Sequence, residues 1–186
     1  LLFLKKYMES NKKVKAILEY ADTLIGIKYT WWEGNEKDRE DPFYYDDPKN
    51  INFYKKHGIN CASFINILLH KIGIKLPPSD NKYKGGTDFW YNYFDANNKL
   101  KPFNYTTNYD IGTLFLRKYR NVEDQGHLSV FYSKYDKNPK MSLYGNIIHA
   151  YSDVGVGITN LGQSHFCDDL GYYEYIVEPK EWLNFY

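Results

Sequence analysis

A chain of 186 residues is long enough for one domain with a full hydrophobic core. Lys+Arg 24 against Asp+Glu 23 leaves a net charge of +1, which excludes a basic footprint for nucleic acid or an anionic membrane. No apolar run reaches the length of a membrane span, and two cysteines, Cys61 and Cys167, are too few for a disulfide framework. A single bridge between them would silence either thiol. The opening LLFLKK has four apolar residues and no cleavage site, so it does not read as an intact signal peptide. Aromatics make up 19% of the chain, with 20 Tyr, a bias that suits an AT-rich genome and an aromatic-walled groove equally.

Residues 12 to 25 read as an amphipathic helix, because Val14, Ile17, Leu18, Ala21, Leu24 and Ile25 share a face and Gly26 stops it. Ile27 to Gly34 is a short aromatic segment, extended or turning. Residues 35–57 are charged and aromatic without periodicity and read as a long surface loop. Its acidic pairs Glu40-Asp41 and Asp46-Asp47 lack the spacing and glycine of a calcium loop and read as a solvated face.

The stretch His57 to Pro78 organises the chain. Phe64, Ile65, Leu68, Leu69 and Ile72 follow Cys61 at helical spacing, and Gly73 with Pro77-Pro78 ends the element. Asn60 is a good N-cap, so Cys61 falls where orphan N–H groups and the positive end of the helix dipole converge. That position favours a thiolate nucleophile and offers N–H groups to an oxyanion. It suits a small apolar residue packed in a helix just as well. The stretch by itself does not choose.

Residues 79–110 are again irregular, with Gly85-Gly86 before the aromatic run Phe89 to Phe94, which reads as core or a packed flap. From Gly112 the pattern turns to strands: Thr113–Arg117, His127–Tyr132, Asn146–Tyr151, Gly155–Thr159 and Tyr172–Val177. The loop 133–145 joins the second and third as a hairpin connection. Helices first and an antiparallel sheet after is an α+β order, and no repeat or linker divides it.

A thiol nucleophile needs an imidazole base, and the base needs a partner that fixes its tautomer. His70 lies nine residues along the helix from Cys61, too far to reach its sulfur, and His57 sits on the preceding loop. His127 opens one strand and His149 lies within the next. If those strands pair, both rings can meet on one face and form a Cys61–His127–His149 relay, with Asp153 as a rival third member. His165 to Asp168 is too weak a pattern for a metal, and no cofactor is called for.

The ordered segments GIKYTWWEG, INCASFINILLHKIGIKLP, IGTLFLRKY, GHLSVFYS and IIHAYSDVGVG resemble those of the NlpC family of papain-like cysteine peptidases, over roughly residues 14 to 182. The resemblance implies a papain-like fold for the single domain, residues 1–186, while the aromatic loops at 35–57, 79–110 and 133–145 are longer than a minimal member needs. It implies Cys61 as nucleophile, His127 as base and His149 as the polar residue orienting it. Tyr29 matches the entry-motif tyrosine beside the nucleophile. It departs from the family where Asn60-Cys61-Ala62-Ser63 replaces Asp-Cys-Ser-Gly, and where Trp32-Glu33-Gly34 replaces Trp followed by two glycines. Gly112-Thr113 likewise stands at the "pGD" position. Tyr29, Trp32, Asn60 and Ser63 are the expected substrate-side residues, with Glu33 a candidate for the missing acid.

The expected activity is a cysteine hydrolase cleaving an amide bond through a thiol acyl-enzyme, with a peptide or peptidoglycan stem peptide as substrate. Alternatives are an amidase or acyltransferase on another substrate, a glycan- or peptide-binding module with an inert cysteine, and a structural protein retaining the fold. The sequence leaves the oligomeric state open, and the compartment open between secreted, phagosomal and virion-associated.

Overall fold

The computed structural model describes residues 2–31, 50–80, 84–121, 123–134, 142–152, 154–166 and 172–184. Helix α1 spans Leu2–Leu24, α2 Ile51–His57, α3 Cys61–Lys71 and α4 Thr87–Ala96. Strands β1 (Lys101–Pro102), β2 (Leu114–Arg117), β3 (His127–Ser133), β4 (Asn146–Tyr151) and β5 (Gly155–Asn160) follow. Helix α5 (Leu161–Phe166), strand β6 (Tyr175–Val177) and helix α6 (Pro179–Trp182) complete the order. The strands form one antiparallel sheet in the order β1-β6-β2-β3-β4-β5. The fold is α+β, with helices N-terminal, the sheet C-terminal and the cysteine helix packed on β3 and β4.

Alternation along the strands divides the core in two. Leu114, Leu116, Leu128, Val130, Ile148 and Ala150 pack with α1, α3 and α4 on one face. Phe115, Phe131, Ile147 and Ile176 join Tyr109, Leu161 and Tyr173 on the other. The sequence of α3 predicts one apolar face, yet every residue from Cys61 to Leu69 is buried. The helix is enclosed between α1 and the sheet, with the Asn66 side chain bonded into the α4 segment. Phe64, Ile65, Leu68 and Leu69 each gain roughly 1.5–3 kcal/mol relative to exposure. Its two buried polar side chains are satisfied, Ser63 in the helix cap and Asn66 against α4.

Four expectations change. Residues 51–57, read as loop, are helix α2, started by Asn50, whose side chain accepts the Phe53 N–H at 3.0 Å. Only Tyr54 of that helix is buried, so no apolar periodicity marks it. Residues 87–96, read as irregular, are helix α4, whose buried Phe89, Trp90 and Phe94 are hidden within a continuous aromatic run. The last strand is shorter than expected because the Tyr173 N–H turns aside to His165 Nδ1 at 3.1 Å. Ile25, placed on the buried face of α1 by spacing, is 47% exposed beyond the helix end, where the Gly26 N–H bonds Val156 O at 2.9 Å. Among the described residues no helix is long and apolar enough to cross a membrane.

Candidate active site

The segment before α3 is fixed by backbone pairing. Ile59 N–H donates to Lys28 O at 3.0 Å and Thr30 N–H to Ile59 O at 3.3 Å, a parallel bridge that sets Tyr29 beside the start of the helix. Gly58 allows this approach: its φ is 89°, and a Cβ there would collide with Thr30 Oγ1 and the Lys28 carbonyl. Asn60 then caps α3. Its Oδ1 accepts the Ser63 N–H at 2.8 Å while its own N–H donates to Ser63 Oγ at 2.8 Å, a reciprocal capping box. These bonds commit Asn60 and Ser63 to starting the helix, and they put Cys61 at its first position.

Cys61 is free, buried and 8% exposed. Its sulfur accepts the backbone N–H of Leu128 and of Ala62 and the hydroxyl of Thr87, with the Arg117 charge nearby. The Leu128 contact arises because β3–β4 pairing runs from Val130↔Ile148 to Ser133↔Asn146, leaving the N-terminal end of β3 open toward the cysteine. Thr87 arrives from α4. Asn66 of α3 donates to Gly85 O at 3.0 Å and accepts Trp90 Nε1–H at 2.9 Å, which brings the N-terminus of α4 against α3.

His127 follows Gly126, whose φ is 73° and whose Cβ would strike the Arg117 carbonyl and the Thr87 methyl. His127 is 2% exposed and His149 is fully buried. The β3–β4 register makes them diagonal neighbours on one face, and His127 Nε2 lies 2.7 Å from His149 Nδ1. The other His149 nitrogen, Nε2, lies 2.9 Å from Thr159 Oγ1 on β5. Tyr151 stacks on the His149 ring at 4.4 Å. Arg117 is the direct cross-strand partner of His127, and its Nη1 donates to Asp124 at 2.5 Å. At 12% side-chain exposure its Nε has no partner among the described residues.

The electrostatics depart from the expectation of a ready thiolate. Burial pushes the Cys61 thiol up, and the three hydrogen bonds and Arg117 only partly oppose it. Burial, then the His149 and Arg117 charges, hold His127 well below the ordinary histidine range, and burial takes His149 down to about 3. Near neutral pH the three groups rest uncharged. Tyr29 is held protonated by burial and by its closeness to any charge on Cys61.

His127 and His149 therefore lie together, and Tyr29 and the Leu128 backbone lie close to Cys61. His57 instead stacks on Phe53 at 4.2 Å, His70 ends α3, and His165 packs on Phe103 at 4.6 Å. Trp32, Glu33, Asp153 and Cys167 lie outside the described residues. Among the described residues no group of three or more His, Cys, Asp or Glu is placed to hold a metal ion. Thr87, Arg117 and Thr159 were not singled out from sequence. Only Thr87 carried a local signal, following two glycines at a helix start.

No family model matches the chain, and no curated protein matches it. Among solved structures, a protein described as similar to lipoprotein, of the NLP/P60 family, from Staphylococcus aureus subsp. aureus Mu50 is 16% identical, with a TM-score of 0.43, over 78% of this chain. The chain spans 36% of that protein's chain.

Proposed function

We propose that this protein is a papain-like cysteine hydrolase that cleaves an amide bond through a thiol acyl-enzyme, with a peptidoglycan stem peptide as substrate. One arrangement supports the reading. His127 and His149 meet at 2.7 Å, and the sulfur of Cys61 accepts the N–H of Leu128, the residue after His127. His127 Nε2 is committed to His149, so Nδ1 is the nitrogen that takes the thiol proton as Sγ attacks the carbonyl carbon. The carbonyl electrons move to oxygen, and the Cys61 N–H, free of an intrahelical partner at the first position of α3, donates a hydrogen bond to that oxyanion. Collapse breaks the C–N bond, and the leaving amine takes the proton back from His127. Water then gives a proton to His127 and attacks the thioester carbon, and the departing sulfur recovers that proton. Because thiol and imidazole rest neutral, His127 acts as a general base rather than as half of a standing ion pair. Tyr29 walls the nucleophile on the substrate side, while Asn60 and Ser63 hold Cys61 in place.

An acyloxymethyl ketone built on a D-glutamyl stem peptide tests this. The wild-type protein acquires the label at Cys61, and His127→Ala labels at least roughly 100-fold more slowly. Equal labelling of the two proteins, or none at Cys61, overturns the reading. The burial of Cys61 favours one second reading, a peptide-binding module with an inert thiol. Saturable binding of cell-wall fragments without cleavage, unchanged in Cys61→Ala, is its signature.

A further inference from the structure

We propose that Thr159 is a positioning residue that sets the tautomers of both relay histidines by accepting a hydrogen bond from His149 Nε2–H. The inference rests on the hydrolase reading for its consequence, and on geometry for its content. Each neutral imidazole carries one N–H, so a bond direction at one nitrogen fixes the other. With the His149 proton on Nε2, 2.9 Å from Thr159 Oγ1, its Nδ1 is an acceptor. The only donor that can then fill the 2.7 Å contact is His127 Nε2–H. His127 Nδ1 is left with a lone pair, the state a general base for Cys61 requires. Were the Thr159 hydroxyl to donate instead, both tautomers would invert and His127 would carry its proton on Nδ1, where it cannot take another as a neutral base.

One observation favours the accepting direction, and two others make the bond a fixed choice of tautomer. Thr159 is half-buried on β5, so its hydroxyl proton has solvent to go to, whereas His149 is sealed and, among the described residues, has only Thr159 and His127 for its nitrogens. Burial keeps both imidazoles neutral, so a tautomer choice exists to be made. The β4–β5 ladder, with His149 opposite Gly157 and Ile147 opposite Thr159, holds the hydroxyl rigidly at a diagonal position.

Nitrogen-15 NMR of the imidazoles at neutral pH reads the tautomers in the wild-type protein. The expected result is protonated Nε2 and unprotonated Nδ1 in both His127 and His149. A His149 proton on Nδ1 overturns the proposal whether or not Cys61 reacts. Thr159→Val removes the acceptor at nearly constant shape, and the expected result is loss of the uniform His149 tautomer and slowing of Cys61 labelling by at least roughly tenfold. Thr159→Ser restores both. Labelling and tautomers unchanged in a folded Thr159→Val protein overturn the proposal. A wild-type protein that never labels at Cys61 sinks the hydrolase reading instead, and leaves the NMR result to decide this one.

Discussion

At the residue scale, burial holds Cys61, His127 and His149 in their uncharged forms near neutral pH. Sequence position at a helix N-terminus argues for a lowered thiol, but the dipole and three hydrogen bonds work against nearly complete removal from water, and desolvation is the larger effect. The His127–His149 bond fixes the orientation of both rings. His149→Phe keeps an aromatic ring against Tyr151 but leaves the buried His127 Nε2 without its partner. That change is expected to cost about 1–3 kcal/mol in a denaturant titration and to slow probe labelling of Cys61. Thr87→Val is a milder change of nearly the same shape, removing one donor to the sulfur. Its expected outcome is a slower reaction at Cys61 with an unfolding midpoint close to wild type, read by labelling and thermal melts side by side.

At the element scale, two side chains join the helices to the site. Asn60→Ala deletes the acceptor for the Ser63 N–H and is expected to lose about 0.5–2 kcal/mol by chemical denaturation. Asn60→Asp, which keeps the acceptor, is expected to recover most of it. Asn66 is the bolt between α3 and α4, and its legibility differs from that of the cap. An Asn before an apolar-periodic run announces a helix start; an Asn in the middle of that run says only that something polar must meet it. Asn66→Leu strands the Trp90 N–H and the Gly85 carbonyl in the core. The expected loss is about 1–3 kcal/mol, with Cys61 labelling slowed as the α4 start and Thr87 drift from the sulfur.

At the scale of the whole molecule, sealing the relay in the sheet makes stability depend on pH. His127 and His149 titrate far below the ordinary histidine value when folded and near about 6.5 when unfolded, so the unfolded chain binds the extra protons. Stability is therefore complete above about pH 6.5 and is lost as pH falls toward the folded values, by up to about 1.4 kcal/mol per pH unit for each histidine. Thermal melts between pH 7.5 and 5 are expected to show Tm falling on acidification. Replacing His149 by Phe should flatten that dependence; a slope unchanged by the substitution would place its source elsewhere.

The sequence by itself determined the start of α3, its cap, four strands close to their observed bounds, and the two histidines that alternation could bring to one face. Those signals are local: a cap acts over three residues, and a strand's alternation over five or six. Helix α4 escaped because an unbroken aromatic run has no period, and α2 because it buries a single ring. Only the tertiary structure decided that β4 pairs with β5 in the register that brings Thr159 to His149, that the open end of β3 gives Leu128 N–H to the cysteine, and that Arg117 stands across from His127. Each depends on segments between ten and about seventy residues apart meeting at one place. The protonation state of Cys61 belongs with them, because it follows from how many neighbours exclude water from the sulfur, a quantity no stretch of the chain carries alone.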